Sequence, residues 1–225
     1  MTEPVKTTRP KPPAKAKPAA KARPAAKAAT APVERPKLTL PEAEAAAVRS
    51  YYGEAQVILE YGSGGSTALA AEMPGKTVFS VESDADWIAM MRRWFQANPP
   101  RASLKLHHGD IGPTKAWGAP ADDAQFRRWP SYPVSVWDRP DFVHPDVVLV
   151  DGRFRAACFL TTLFRITRPV VLLWDDYTNR EGYHAMEGFA PLVRTHGRMA
   201  EFHLHPTAIP PEKLGLILTT YLRPN

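Results

Sequence analysis

Hydrophobic and polar positions follow two distinct patterns along most of the chain. Short, nearly continuous apolar runs are typical of strands that are buried on both faces, whereas apolar residues spaced three and four positions apart are typical of amphipathic helices. From residue 38 onward the two kinds of segment follow one another. Strands are predicted at 56–60, 76–82, 102–108, 146–151, 169–175, 198–203 and 214–221, and helices at 41–51, 66–73, 84–98, 154–168 and 183–196.

Strands that alternate with helices indicate βαβ units and a parallel sheet that helices cover on both faces. The runs 147–150 and 170–174 are apolar throughout, as strands in the middle of such a sheet require. No helix is predicted between 198–203 and 214–221, so these two strands are expected to pair antiparallel at one edge. The pattern therefore predicts an α/β fold over residues 38–225: a doubly wound, mostly parallel sheet of seven strands with an antiparallel last strand.

Residues 1–37 differ from this domain in composition. They are rich in Lys, Ala and Pro, contain eight prolines, and lack aromatic residues and Gly. Ten Lys and Arg against two Glu give them a net charge of +8, whereas the other 19 basic and 21 acidic residues give −2. We predict a disordered basic tail, because such a segment buries too little apolar surface to offset its ordering entropy. It suits weak contact with nucleic acid or another polyanion, or is a solubilising extension without a partner.

The composition also excludes several classes of protein. The single cysteine, Cys158, excludes an internal disulfide and a four-cysteine zinc site, which fits a reducing compartment. No run approaches the roughly 20 apolar residues of a membrane helix, and residues 1–37 contain no apolar run of the kind found in signal peptides. A Gly-x-Ser-x-Gly elbow and a P-loop lysine are both missing, which argues against the corresponding hydrolases and kinases. We expect a cytoplasmic protein with no membrane contact.

A glycine-rich turn follows the first predicted strand. In an open parallel sheet, ligands bind beyond the carboxyl ends of the strands, so the residues at those ends are the candidate binding residues. Gly62, Gly64 and Gly65 allow the backbone to turn sharply around Ser63 and to approach a ligand closely. The helix predicted next points its N-terminus at the same place, which favours an anionic or polar group. An ordinary turn without a ligand is the alternative.

Carboxylates stand at the ends of the next two strands. Glu82 ends the second strand, twenty positions after Gly62, where a carboxylate can accept both hydroxyls of a ribose. Asp110 follows the third strand, where it can meet an adenine edge. Each has a purely structural alternative, because Glu82 can cap the helix that begins near Asp84 and Asp110 can begin a turn before Gly112. Three such features at successive strand ends favour a ligand that contains a nucleoside.

The stretch from Glu60 to Asp110 resembles class I S-adenosylmethionine-dependent methyltransferases. The first motif of that family reads acidic-x-Gly-x-Gly-x-Gly; Glu60, Gly62 and Gly64 match it, serine replaces the third glycine, and Gly65 is additional. The resemblance implies a Rossmann-like methyltransferase domain with S-adenosylmethionine as its cofactor. A nicotinamide-binding Rossmann domain is the nearest alternative, although threonine stands where the last glycine of its fingerprint belongs.

The resemblance also implies a role for each matching residue. The methionine part of the cofactor is expected at the glycine turn, the ribose at Glu82, and the adenine beside Asp110 and Ile111. The complete set of implied cofactor-binding residues is Glu60, Gly62, Ser63, Gly64, Gly65, Glu82, Asp110 and Ile111.

Acidic residues also follow the fourth and fifth strands, as Asp151, Asp175 and Asp176. The expected topology places these strand ends side by side, so the three carboxylates are expected to converge and to repel one another unless a cation joins them. Oxygen ligands suit Mg²⁺, and the layout is similar to that of metal-dependent catechol-type O-methyltransferases, except that Asp176 stands where their last ligand is typically Asn. The alternative is that Arg153 and Arg155 neutralise these acids without a metal.

These features together predict methyl transfer to a hydroxyl of a small molecule or sugar. The predicted catalytic residues are Asp151, Asp175 and Asp176, with Asp151 as the leading general base and Mg²⁺ as a candidate second cofactor held by all three. The alternative function is a non-catalytic nucleoside-binding domain that residues 1–37 tether to nucleic acid or another polyanion.

Residues 112–145 form a long segment without a predicted strand or helix. Long loops in compact domains are often functional, so this segment is interpreted as a lid that shapes the acceptor pocket. Ordinary cover for one face of the sheet is the alternative. Its aromatic residues include Trp117, Phe126, Trp129, Tyr132 and Trp137.

Overall fold

A computed structural model of the chain describes residues 34–224. Most of the predicted basic tail therefore lies outside the described residues, and its contact with a polyanion stays a prediction. The described part contains seven strands: β1 (Val57–Tyr61), β2 (Thr77–Glu82), β3 (Ser103–His108), β4 (Val147–Val150), β5 (Val170–Trp174), β6 (Arg194–His196) and β7 (Met199–Leu204). Its α-helices are α1 (Glu42–Glu54), α2 (Gly65–Ala71), α3 (Ala85–Ala97), α4 (Ser131–Val134), α5 (Arg155–Arg165) and α6 (Leu214–Thr220).

The seven strands form one sheet in the order β3-β2-β1-β4-β5-β7-β6. Strands β1 to β5 are parallel, β7 is antiparallel to β5, and β6 is antiparallel to β7. The sheet grows outward in one direction from β1 to β3 and in the other from β4 onward, so the switch point lies between β1 and β4. The predicted doubly wound, mostly parallel fold is confirmed, and its ligand-binding edge is the edge where β1, β2, β4 and β5 end.

Strand β4 shows why the central strands are apolar without interruption. Val148 and Val150 point into the layer that contains α5, whereas Val147 and Leu149 point into the opposite layer, which contains α1. All four side chains are buried. Because both faces of the strand are covered, no position tolerates a polar side chain, and the alternation expected of a half-buried strand is absent.

The prediction of a strand at 214–221 was wrong, because these residues form α6. Within it, Ile217 and Thr220 are buried three positions apart, whereas Leu216 and Leu218 are exposed. That spacing is helical, and prolines at the start of the segment favour a helix beginning there. The antiparallel pair predicted at the sheet edge exists, but it is made by β6 and β7.

The prediction of a helix at 183–196 was also wrong. A 3-10 segment, Glu181–Gly188, is followed by an irregular stretch and then by β6. Pro191 lacks the backbone N–H that a continuing helix needs. Gly197, with φ of 57°, makes the turn that sends the chain back as β7.

No helix within residues 34–224 has both the length and the apolar character needed to cross a membrane.

Candidate active site

A cleft of about 1070 Å³ lies at the carboxyl edge of the sheet. Its wall is formed by the segment 34–40, the turn after β1, the end of β2, part of the long loop, and the ends of β4 and β5. The structure thus gathers residues that are far apart in sequence. The predicted site residues found in this wall are Gly62, Ser63, Gly64, Gly65, Glu82, Asp151, Asp175 and Asp176.

The glycine turn passes against the backbone that follows β4. Gly62 has φ of 106°, a conformation that favours glycine, and its N–H donates to the carbonyl of Val81 at 2.8 Å. A Cβ atom at Gly62 would lie 2.7 Å from the backbone nitrogen of Gly152. The two glycines therefore let the ends of β1 and β4 approach, and a side chain at Gly62 would force them apart at the switch point.

Three side-chain hydroxyl groups form a hydrogen-bonded chain that holds the glycine turn in place. The Ser80 hydroxyl is 2.7 Å from the hydroxyl of Ser63 and 3.1 Å from that of Thr67, and Thr67 accepts a bond from the N–H of Gly64 at 2.9 Å. From the other side, the indole of Trp87 donates to the carbonyl of Ser63 at 2.7 Å. The turn is thus fixed before any ligand binds. Thr67 and Ser80 gave no sequence signal of this role, since hydroxyls under a turn resemble those in any buried strand or helix.

Glu82 is 9% exposed and lies in the wall of the cleft. Its carboxylate accepts bonds from the backbone N–H groups of Ser83 at 2.7 Å, Asp84 at 2.9 Å and Ser63 at 3.3 Å. Burial raises the pKa of Glu82, while these three N–H groups act to lower it. The carboxylate therefore ties the glycine turn to the end of β2 and is held in one orientation.

The structural alternative for Glu82 was a cap on the helix that follows. That position belongs to Asp84, whose side chain accepts bonds from the N–H groups of Asp86 at 2.9 Å and Trp87 at 3.0 Å. Asp84 is therefore the N-cap of α3. Glu82 precedes the cap and faces the cleft.

The long loop reaches the same end of the cleft through Trp117 and Gly118. The hydroxyl of Ser83 donates to the carbonyl of Gly118 at 2.8 Å, and a Cβ atom at Gly118 would lie 3.0 Å from a carboxylate oxygen of Glu82. Both loop residues have a positive φ, which is uncommon for tryptophan. Trp117 is 87% exposed although it lines the cleft, so this loop presents an unpacked indole beside Glu82.

Glu60 does not line the cleft but lies completely buried behind the glycine turn. The hydroxyl of Tyr52, from α1, donates to its Oε1 at 2.7 Å, whereas its Oε2 has no hydrogen-bond partner among residues 34–224. Burial raises the pKa of Glu60. In this structure Glu60 supports the site from behind rather than facing a ligand.

Asp110 and Ile111 are not brought to the cleft. Asp110 forms an ion pair with Arg128 and accepts a bond from the N–H of Gly112 at 3.0 Å, which is the turn foreseen as its structural alternative. Ile111 is 1% exposed and packs in the layer that contains α5. The adenine contact assigned to these two residues therefore has no support from the geometry.

Arginines surround the carboxylates after β4 and β5. Asp175, which is 1% exposed, accepts two bonds from Arg198 at 3.0 and 2.8 Å. Asp176 lies 3.2 Å from Arg155, 3.1 Å from Arg180 and 3.1 Å from Arg198. Arg198 was missed by the sequence analysis, which placed it in a strand; it lies in the turn between β6 and β7 and reaches the site only because β7 pairs with β5.

Arg155 joins the two strand ends directly. Its guanidinium donates to the carbonyls of Gly152, Asp151 and Asp175 at 3.0, 3.1 and 2.5 Å. It is also 3.4 Å from the carboxylate of Asp151. The alternative in which an arginine neutralises these acids is thus correct for Arg155.

Asp151 has the most perturbed environment of these acids. Burial raises its pKa, Arg155 lowers it, and the neighbouring carboxylates of Asp175 and Asp176 raise it further, to about 7. The carboxyl group nevertheless retains access to the cleft, since 32% of its side chain is exposed. A carboxylate with this pKa can accept a proton near neutral pH.

The three acids do not fit the predicted Mg²⁺ site. Within residues 34–224 no group of three His, Cys, Asp or Glu side chains is arranged to hold a metal ion. Guanidinium groups already hold the oxygens of Asp175 and Asp176 that a cation needs as ligands. Charge compensation by arginine therefore takes the place that the sequence analysis assigned to a metal.

Residues 112–145 were interpreted either as a lid that shapes the acceptor pocket or as ordinary cover for the sheet, and different aromatic residues fit each interpretation. Trp129, Tyr132 and Trp137 are buried and cover one face of the sheet, as the alternative proposed. Trp117 and Phe126 are exposed and line cavities. Of the buried residues, Trp129 and Tyr132 also form part of a cavity wall, so the loop both covers the sheet and contributes to the space where a ligand can bind.

Comparison with known proteins identifies similar solved structures. No sequence profile of a protein family matches the chain, and no curated protein sequence matches it. The chain is 53% identical to a methyltransferase-like protein from Silicibacter pomeroyi, with a TM-score of 0.81, over 84% of this chain and 99% of that one. It also shares its fold with an S-adenosylmethionine-dependent O-methyltransferase from Thermotoga maritima, at 10% identity and a TM-score of 0.51, over 78% of this chain and 69% of that one.

Proposed function

Since the chain belongs to the class I S-adenosylmethionine-dependent methyltransferase family, we propose that it transfers a methyl group from this cofactor to a hydroxyl group of a small molecule. The observation that carries the proposal is one cleft that contains the glycine turn, the carboxylate of Glu82 and the carboxylate of Asp151. The first two suit an adenosyl donor, and the third suits the removal of a proton from an acceptor hydroxyl.

The described residues fit this cofactor. Gly62 and Gly152 let the two strand ends approach at the switch point, and the open space beside Gly64 leaves room for the methionine part. The fixed carboxylate of Glu82 is suited to the ribose hydroxyls, and the exposed indole of Trp117 stands at the same end of the cleft. When bound, the cofactor supplies a methyl group that is already activated by its positively charged sulfur.

The contribution of the protein is then orientation and proton transfer. Asp151 accepts the proton that the acceptor hydroxyl loses, and its pKa of about 7 makes the carboxylate a competent base near neutral pH. Arg155 fixes the loop that carries Asp151 by binding carbonyls of both strand ends. Asp175 and Asp176, each held by arginine, position those arginines and raise the pKa of Asp151.

Transfer of a labelled methyl group from S-adenosylmethionine to the small-molecule fraction of a cell extract tests the proposal. Wild-type protein is expected to label an acceptor, and Asp151→Asn is expected to lower the rate about 100-fold, the usual contribution of a general base. Asp138→Asn, at an exposed aspartate of the long loop, is the matched control and should retain the rate. Absence of any labelled product with wild-type protein would contradict the proposal, and full activity of Asp151→Asn would remove the assigned base.

A further inference from the structure

Arg153 differs from the other arginines in the wall of the cleft. Arg155, Arg180 and Arg198 each pair with a carboxylate. Among residues 34–224, no carboxylate oxygen lies within 4.0 Å of Arg153. Its Nε atom is also buried and has no hydrogen-bond partner in the described part of the chain. The alternative to a metal site was that Arg153 and Arg155 neutralise the nearby acids; within residues 34–224, Arg155 pairs with them and Arg153 does not.

The position of Arg153 is unfavourable for a cation that has no partner. Burial lowers the pKa of Arg153, and the neighbouring positive charges of Arg155 and Arg180 lower it further. A partly buried guanidinium in such surroundings is stabilised when an anion pairs with it. Since the described protein supplies no such anion and Arg153 faces the cleft, a ligand is the natural source.

A second cavity, of about 760 Å³, adjoins the cleft at Arg180, which belongs to the walls of both. We call it the apolar cavity, because most of its wall is apolar or aromatic, including Phe126, Trp129, Met186 and Leu216. Tyr183 also belongs to this wall, and Arg180 donates to its hydroxyl at 3.3 Å. Arg180 is therefore the residue at which the cationic wall of the cleft meets an apolar surface.

Resting on the proposed function, we propose that the apolar cavity binds the body of the methyl acceptor and that Arg153 binds an anionic group of the same molecule. Asp151 and Arg153 stand two positions apart on the loop after β4, so the reacting hydroxyl and the anionic group lie near each other. The substrate class is then a hydroxy acid with an apolar or aromatic body. An apolar body suits this wall better than a sugar, because Asp123, Arg180, Thr220 and Arg223 are its few charged or hydroxyl-bearing aliphatic side chains and a sugar has many hydroxyls to satisfy.

One other source can supply the same anion, namely the carboxylate at the methionine end of the cofactor. Two ligands distinguish the sources. S-adenosylhomocysteine carries that carboxylate, whereas 5′-methylthioadenosine lacks the whole amino-acid end. If Arg153 binds the acceptor, Arg153→Met leaves the Kd of both ligands unchanged in calorimetry. If Arg153→Met weakens S-adenosylhomocysteine but not 5′-methylthioadenosine, Arg153 serves the cofactor and the proposal is overturned.

The acceptor itself is tested with a matched pair of probes, 2-hydroxy-3-phenylpropanoate and its amide, on protein saturated with S-adenosylhomocysteine. The two differ in charge but hardly in shape. Wild-type protein is expected to bind the acid at least about tenfold more tightly than the amide, as a charge-assisted bond predicts. Arg153→Met is expected to remove that preference, and Arg92→Met, at an exposed arginine of α3, is expected to keep it.

Each remaining outcome has a defined meaning. Equal binding of acid and amide by wild-type protein, binding of neither, or a preference that persists in Arg153→Met would overturn the proposal while leaving methyl transfer untouched. Failure of wild-type protein to bind S-adenosylhomocysteine would instead contradict the proposed function. Misfolding does not confuse the result, because Arg153→Met removes an unpaired cation, and its thermal unfolding temperature is expected to equal or exceed that of the wild type.

Discussion

At the residue scale, the chemistry of the cleft depends on how each charge is compensated. Asp175 and Asp176 are held by arginines, whereas Asp151 is the acid whose pKa is raised to about 7 and whose side chain still reaches the cleft. The aspartates could be found in the sequence because they end apolar strands. Their compensation could not, because Arg198 is distant in sequence and reaches them only through the pairing of β7 with β5.

The raised pKa of Asp151 leads to a prediction about pH. Below about pH 7 the carboxyl group is protonated and cannot accept a proton, so kcat/KM should rise with pH, reach half its maximum near pH 7, and level off above it. The profile is measured with wild-type protein and Asp151→Asn at saturating cofactor. Persistence of the same rise in the variant would show that another group is the base.

Asp110 shows where a residue-scale prediction lacked the necessary information. Its place after β3 is right for an adenine contact, and the strand itself was predicted within one residue. Arg128, from the long loop, forms an ion pair with the carboxylate, which is not part of the cleft wall. Because the sequence of the long loop has no helix or strand periodicity, it does not indicate which of its side chains will contact the end of the sheet.

At the element scale, the segment 34–40 is the part of the site that the sequence analysis missed. We call it the N-terminal strap; all its residues line the cleft, Pro36 is buried, and Leu40 packs on the layer that contains α1. Composition assigned its first four positions to a disordered tail. In the structure Lys37 and Leu38 lie against Gly65, and Arg35 pairs with Glu72 at 2.8 Å, contacts that composition does not indicate.

Gly65, the glycine that is additional to the family motif, has a clear role in this contact. A Cβ atom there would lie 2.2 Å from the backbone nitrogen of Leu38 and 2.3 Å from the carbonyl carbon of Lys37, whereas a Cβ atom at Gly64 would meet nothing within 4 Å. Gly65→Ala is therefore expected to displace the N-terminal strap and to speed tryptic cleavage after Lys37 several-fold.

Gly64→Ala is the matched control for this prediction, because its backbone φ of −178° suits any residue and its surroundings are open. Cleavage after Lys37 is followed by mass spectrometry under native conditions. Equal cleavage rates for Gly65→Ala and wild-type protein would show that the strap does not depend on this glycine.

The strands that lie in the hydrophobic core were predicted accurately, whereas segments that contribute few residues to the core were not. Strands β1, β2, β4 and β5 are mostly buried because both sheet faces are covered there, so their positions in the sequence were clear. The segments 183–196 and 214–221 each contribute only a few residues to this core, and those buried residues gave too weak a period to separate helix from strand.

At the scale of the whole molecule, two functions can be distinguished by experiment. One is an enzyme that acts on a small molecule, and the other is a domain tethered to a polyanion through residues 1–37. Deletion of residues 1–33 separates them and leaves the N-terminal strap intact. The shortened protein is expected to bind S-adenosylhomocysteine with unchanged affinity and to keep its rate of methyl transfer, because the described cleft begins at residue 34.

The same deletion is expected to remove most salt-sensitive retention on a heparin column, because residues 1–33 carry most of the positive charge of the tail. Retention is measured as the salt concentration at elution, for full-length and shortened protein. Loss of methyl transfer on deletion would favour the tethered alternative, and unchanged retention would show that the tail has no role in polyanion contact.

The central claim is that the cleft binds an adenosyl group with Glu82 at its ribose. Calorimetry with S-adenosylhomocysteine tests it most directly, on wild-type protein, on Glu82→Ala and on Glu54→Ala, an exposed glutamate at the end of α1. We predict binding by the wild type and the control, and a loss of roughly 10- to 100-fold in affinity for Glu82→Ala. Equal affinities for all three proteins, or no binding by the wild type, would contradict the account.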